Sequence, residues 1–376
     1  MREFLTTHVG SLPRGEELVP PLLARDHGEP YDAAALERLV QAAVEDAVAK
    51  QEAAGVSIVS DGELGKVGYS TYVQERLSGF GGHIARRPAL DLAALPELRR
   101  KLALIMGEQE FVRASCVGPV RLRDLGPCHA DIRRFSRALA GRSVRGFLNA
   151  ASPGLITAFQ PDAYYGSHEA YLTDLVSAMR PEYAAIAASG VQLQLDCPDL
   201  AMARHTGYQD LSEAQFLKIA AANVEALNAA TADIAPENMR MHVCWGNYEG
   251  PHDHDIPLDR ILDIILKARP ATLLFEAANA RHEHEWQVWA EAKIPEEKVL
   301  APGLIDTRSN CVEHPELIAQ RLERFAAIVG SERVIASTDC GFGTFAGFGP
   351  VEPDIAYLKL QSLAEGARIA SGRLWR

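Results

Sequence analysis

Three short β-rich runs, Val191-Gln192-Leu193-Gln194-Leu195-Asp196, Arg240-Met241-His242-Val243-Cys244 and Thr272-Leu273-Leu274-Phe275-Glu276, decide the fold of this chain. Two longer amphipathic stretches, Ser212–Ala230 and Leu258–Ala268, separate them and carry apolar residues at helical spacing. Strand, helix, strand, helix, strand is the pattern of a parallel sheet joined by crossover helices. Each run also ends on an ionisable side chain: Asp196, Cys244 and Glu276.

The same alternation continues in both directions. Further strands are expected at Thr6–Val9, Val56–Ser60, Gly146–Asn149, Val299–Leu304 and Val334–Thr338, which makes eight. Helical patterns fill Ala33–Ala54, Glu169–Ala188, Pro315–Val329 and Asp354–Ala370. Asp32 and Ser212 are good N-cap residues, and Gln215 stands three residues after Ser212 at the capping-box spacing. Eight repeats predict an α/β fold of the (β/α)8 TIM-barrel type, a single domain over residues 1–376. Nearly every strand ends in polar residues: His8 and Ser11, Asp61 and Glu63, Asn149 and Ser152, Asp306, and Asp339 and Cys340 complete the series. In a barrel these ends open onto one mouth, whereas a doubly wound sheet gathers ligand groups at one switch point. The stretch of about 80 residues between the second and third strands is too long for a crossover. It reads as an insertion over approximately 80–145, a hairpin with helices, with helical patterns near Pro96–Leu104 and Asp131–Ala140 and an alternating run Val112–Leu122.

Composition narrows the function. The 376 residues are 47% hydrophobic and 23% charged, as in an ordinary globular protein, and are enough to bury a full core unaided. A net charge of −12 argues against a nucleic-acid partner, which calls for a basic face. No apolar run approaches the roughly 18 residues that a membrane span needs. The start, Met1-Arg2-Glu3-Phe4-Leu5-Thr6-Thr7-His8, has no charged-then-apolar leader, and six cysteines are too few for a disulfide scaffold. A cytoplasmic enzyme is the expectation.

Its chemistry is expected at His242 and Cys244. Residues two apart on a strand face the same side, so both can point into the mouth, as half of a zinc site. Glu276 ends an apolar run where an unpaired carboxylate is costly to bury, and Cys340 ends Arg333–Asp339 before Gly341-Phe342-Gly343. One His, two Cys and one Glu from three strands could close a tetrahedral site. Two thiolates and a carboxylate make the metal electron-rich, a poor activator of water but a good holder of a substrate thiolate. A free thiol with pKa near 8.5 is only about 3% ionised at pH 7, so capture on zinc raises the reactive fraction roughly 30-fold, worth about 2 kcal/mol. The nucleophile is then the bound thiolate, and the protein supplies none. Two histidine-rich loops, Pro251–Asp255 and Arg281–Glu285, compete for the metal, while Cys116, Cys128, Cys197 and Cys311 read as structural. Val9-Gly10-Ser11 brings backbone and a hydroxyl close to a ligand, and Glu63 and Asp196 suit a substrate ammonium. Asp61 and Asp199 serve equally well as helix caps.

Taken together, Thr6–Ser11, Asp61-Gly62-Glu63, Leu195-Asp196, His242-Val243-Cys244, Glu276 and Asp339-Cys340-Gly341 resemble the catalytic half of the cobalamin-independent methionine synthases, especially their shorter single-barrel relatives. The resemblance implies a zinc barrel with His242, Cys244, Glu276 and Cys340 as ligands, and an amino-acid thiol held by Val9, Gly10, Ser11, Glu63 and Asp196. Two positions depart from it. Where the folate-using members carry a tryptophan that stacks on the pterin, the nearest counterpart is Phe159; where they carry a proton-donating histidine, Asp306 is followed by Thr307 and Arg308. Phe159, Asp306 and Arg308 therefore mark a donor or anion site, and the alkyl donor stays open among folate, methylcobalamin and an epoxide. The leading expectation is a zinc-dependent methyltransferase that takes homocysteine, or a similar small thiol, and an alkyl donor. The alternatives are a lyase resembling the epoxyalkane:coenzyme M transferases, where Arg308 would pair with a sulfonate, and a zinc-holding protein without turnover.

Overall fold

In the computed structural model, residues 2–84, 87–106, 113–347 and 349–375 are described. The Ser212 hydroxyl accepts from the Gln215 N–H and the Gln215 side chain accepts from the Ser212 N–H, so the expected capping box opens helix Glu213–Ala230. Asp32 likewise caps helix Ala33–Ala53 through the N–H groups of Ala34 and Ala35. Those caps satisfy backbone donors that a helix start otherwise leaves orphaned.

The strands are β1 (Ile58–Ser60), β2 (Phe80–Ile84), β3 (Arg113–Cys116), β4 (Arg145–Ala151), β5 (Gln192–Asp196), β6 (Met239–Val243), β7 (Thr272–Phe275) and β8 (Val299–Pro302). Six of them form one curled parallel sheet in the order β1-β4-β5-β6-β7-β8, an α/β, TIM-barrel-like fold. The insertion between β1 and β4 holds β2 and β3, paired antiparallel, together with helices Pro96–Met106 and Gly126–Leu139. Val112, the first residue of the expected alternating run, lies outside the described residues.

The first and last expected strands differ from the rest. Thr6–Val9 and Val334–Thr338 make isolated parallel bridges, Thr6 with Ala336, Val334 with Leu300 and Ser337 with Gly303. Side-chain hydroxyls take donors that a ladder would use: Ser57 Oγ accepts from Thr6 N and Thr338 Oγ1 from Val9 N. Backbone bonds from Ile58 N to Thr6 O and from Ile335 N to Leu300 O still join both segments to the edge strands β1 and β8.

By internal contacts the chain forms two compact units. One comprises Met1–Tyr69, Asp131–Leu148 and Ala271–Arg376, with a small interior cluster of Val9, Leu274 and Ala301 against Ile335. Its helices Pro315–Val329 and Pro353–Leu374 lie side by side. The other comprises Ser70–Ala130 and Asn149–Pro270. There a buried Arg76–Glu182 pair at 2.8 Å is joined by the Tyr72 hydroxyl, which donates to Glu182 and accepts from Ala151 N. Among the described residues no helix is long and apolar enough to cross a membrane.

Candidate metal centre

Register positions the first ligands. In the β5–β6 pair Asp196 stands opposite His242, and Gln194 opposite Arg240. Residues two apart share a face, so Gln194, Asp196, Arg240 and His242 form one polar patch, and all four are buried. Asp196 accepts from Gln194 Nε2 at 2.9 Å and from Asn149 Nδ2 at 3.1 and 3.3 Å. Burial lowers the Arg240 pKa to about 9, against an opposing pull from Asp196. Gln194 and Arg240 are not among the site residues singled out in the sequence, although the two-residue period that pairs His242 with Cys244 places Arg240 on that same face.

Cys244 follows β6, and its sulfur accepts the N–H of Gly246 at 3.2 Å, the kind of donor that steadies a thiolate. Gly246 has φ of 122°, and a Cβ there would meet the Tyr248 ring at 2.7 Å, so the turn requires glycine.

Glu276 directly follows β7 and is buried, and its Oε2 accepts from Asn279 Nδ2 at 2.7 Å. Asp339, just before Cys340, accepts from the backbone N–H groups of Ala277, Ala278 and Asn279 and from Asn279 Nδ2. Burial, with Glu276 and Asp306 nearby, raises the Asp339 pKa to about 7. Asn279, a hinge for both carboxylates, had no signal of its own in the sequence. The Thr338 hydroxyl donates to the Cys340 carbonyl at 2.7 Å.

Among the described residues one group of histidine, cysteine and acidic side chains could hold a metal ion: His242, Cys244 and Cys340, whose ligand atoms all lie within 4.8 Å of one another. All three are buried. Two sulfurs and an imidazole suit a borderline or soft metal and suit magnesium or calcium poorly. Glu276 is not a member of that group.

The competing loops are committed elsewhere. His252 is tied to Asp255 at 3.0 Å and to the Tyr248 carbonyl at 3.0 Å, and His282 to Glu285 at 2.9 Å. The two Asp199 oxygens accept from Ser152 Oγ, which caps helix Pro153–Phe159, and from Asn223 Nδ2. Asp61 caps a turn, accepting from Glu63 N at 2.9 Å.

Of the residues expected to hold substrate, Ser11 sits directly against Gly341, where a Cβ would fall 1.9 Å from its hydroxyl. Glu63 adopts φ of 56°, a conformation that costs a non-glycine residue about 1 kcal/mol or more. Arg14 holds it there, with Nη2 bonded to the Glu63 carbonyl and Nε to that of Lys66. Val9 and Gly10 are buried, and Gly10 N donates to His8 Nδ1. Phe159 ends helix Pro153–Phe159, half-buried. Asp306 accepts from Arg308 N and Nε at 3.1 and 3.2 Å.

Residues 4–348 match the family described as the cobalamin-independent synthase catalytic domain. The chain is 24% identical to a methionine synthase of Saccharolobus solfataricus, covering 99% of this chain and 96% of that one. It is also 24% identical to the 2-hydroxypropyl-CoM lyase of Xanthobacter autotrophicus, covering 92% and 89%. A B12-independent methionine synthase from a Shewanella species, solved with selenomethionine, shares the fold with a TM-score of 0.75 at 18% identity, covering 100% and 99%. The chain therefore belongs to the cobalamin-independent synthase catalytic-domain family.

Proposed function

We propose that this protein is a zinc-dependent thiol methyltransferase of the cytoplasm, with homocysteine as acceptor and methionine as product. The observation that carries the reading is the buried convergence of His242, Cys244 and Cys340 within 4.8 Å, in a chain whose relatives of nearly equal length include methionine synthases. Those three residues would hold the zinc, with Glu276 as a fourth, oxygen ligand. A zinc ion there would supply Lewis-acid lowering of a thiol's pKa, so that no protein nucleophile would be needed.

The chain's own residues do the rest. The Ser11 hydroxyl takes the amino-acid carboxylate, the Val9 and Gly10 backbone packs against the substrate, and Glu63 and Asp196 take the ammonium. Burial of these groups excludes water, which would otherwise compete as a hydrogen-bond partner for the substrate's polar head. Phe159, Asp306 and Arg308 face the alkyl donor or an anionic group. The reading treats residues 1–376 as one catalytic barrel domain with an insertion over approximately 80–145, acting on small molecules and not on nucleic acid or membrane.

The similarity to a 2-hydroxypropyl-CoM lyase supports a second reading, a lyase acting on a sulfonate-bearing thioether. Assays with homocysteine plus methyltetrahydrofolate, then methylcobalamin, are expected to yield methionine, whereas coenzyme M plus epoxypropane yields a hydroxyalkyl thioether under the second reading. Cys340→Ser is expected to lower zinc content as measured by atomic emission; full zinc retention and activity in that variant would contradict the ligand assignment.

A further inference from the structure

The segment that carries Arg308 is fixed almost residue by residue. Leu304 N donates to Ser337 O, and Leu304 O accepts from Arg321 Nη1. Ile305 O accepts from Asp339 N, and Asp306 N donates to Glu313 Oε1 at 2.8 Å. Glu313 is in turn held from helix Pro353–Leu374. Lys359, whose side chain is 0% exposed, donates to Glu313 Oε2 at 2.8 Å and to the Cys311 carbonyl, and the Ser362 hydroxyl donates to the Glu313 carbonyl. A buried ion pair of this kind is often no more stabilising than an apolar pair of the same size, so stability alone does not account for a buried lysine in the second turn of that helix. Its geometric effect is specific. The Glu313 carboxylate spans from Lys359 to the backbone of Asp306, and the Asp306 carboxylate spans from there to Arg308.

Arg308 ends the relay with four of its five guanidinium N–H donors unspent among the described residues. Its Nε and backbone N go to Asp306, and among the described residues neither Nη nitrogen makes a hydrogen bond. The side chain is only 17% exposed. Burial lowers its pKa, but Asp306, Glu276 and Asp339 more than offset that and keep the guanidinium charged. Two of those carboxylates are engaged elsewhere, Asp339 by four N–H donors and Glu276 by Asn279. They fix the charge without filling the fork. Two parallel N–H donors at fixed spacing match the planar oxygens of a carboxylate or two oxygens of a sulfonate.

We propose that Glu313 and Lys359 are positioning residues that hold Arg308 as a preset fork for the acidic group of a small-molecule substrate. The acidic partner is a carboxylate or sulfonate on the thiol acceptor or on the alkyl donor. The assignment deepens the proposed thiol transfer and rests on it for the place of the ligand.

Binding to zinc-loaded full-length protein tests it, measured by calorimetry with 2-mercaptoethanesulfonate, the neutral 2-mercaptoethanol and the thiol-free ethanesulfonate. A parallel pair, methyltetrahydrofolate and its pterin without the glutamate tail, reports on the donor. The wild type is expected to bind the acidic member of at least one pair about tenfold more tightly than the neutral member. Arg308→Gln removes that preference with zinc content unchanged, and Lys359→Met and Glu313→Gln each reduce it about threefold. A merely structural role would weaken acidic and neutral probes alike. A wild type without preference, or an Arg308→Gln variant that keeps it, overturns the fork. If Lys359→Met does not fold, Glu313→Gln decides the brace, and full preference in that variant overturns it. Should no thiol bind at all, the transfer reading fails, and ethanesulfonate binding to wild type but not to Arg308→Gln still upholds the fork.

Discussion

Asp196 and Asp339 are both acidic residues buried at the end of a strand segment, yet the hydrogen bonds described for them come from different kinds of partner. Asp196 takes its hydrogen bonds from the side chains of Asn149 and Gln194 and faces Arg240. Asp339 takes three from consecutive backbone N–H groups at 277–279 and one from Asn279 Nδ2. Side-chain partners can rotate as a ligand arrives; backbone partners in a turn cannot. Asp339 is thus a clasp that fixes the turn after β7 beside Cys340, whereas Asp196, the residue proposed to take a substrate ammonium, keeps donors that can give way. A buried acid at a strand end does not identify a ligand site until the origin of its donors is known.

The contrast is tested most severely by Asp339→Ala. Four donors lose their acceptor at about 1 kcal/mol each, so denaturant unfolding of the metal-free protein is expected to show a loss of about 4 kcal/mol. A loss below about 1 kcal/mol would remove the clasp from the account. Asp199 supplies the next largest effect. Burial raises its pKa from the ordinary 3.8 to about 6, against the opposing bonds from Ser152 and Asn223. Because the folded-state value is raised, its stabilising contribution is complete below about pH 4 and is lost as pH climbs through about 6, a change of about 3 kcal/mol. Unfolding free energies of wild type and Asp199→Asn should therefore diverge in the variant's favour from pH 4 to 7, and parallel curves would contradict this. Smallest is Asp196→Asn, read as ligand preference so that any loss of stability cancels. The preference for homocysteine over its amino-free analogue 4-mercaptobutanoate is expected to fall about 30-fold, or about 2 kcal/mol. An unchanged ratio would move the ammonium site elsewhere.

Much of this was legible in the order of residues. The capping box at Ser212, the cap at Asp32 and the alternation that yields the parallel sheet are local signals, written within a few residues of where they act. Terminal strands were less legible, because hydroxyls of Ser57 and Thr338 replace ladder bonds across long separations in the chain. The histidine-rich loops at 251–255 and 281–285 compete with His242 and Cys244 as metal donors in the sequence, and the folded partners Asp255 and Glu285 occupy His252 and His282. Glu63 reads as an ordinary acid after a glycine, yet it occupies a left-handed backbone conformation clamped by Arg14.

Residue order alone set the periodicities, and with them the α/β class and the alternating faces that put His242 in line with Arg240 and Cys244. Folding in three dimensions decided the pairings: Cys340 with His242 and Cys244, Asn279 with Glu276 and Asp339, Lys359 with Glu313. The physical reason is range. Backbone preference and side-chain alternation act over one or two turns of chain, whereas a charge or a sulfur is satisfied by whichever group closure of a long loop brings within about 3 Å.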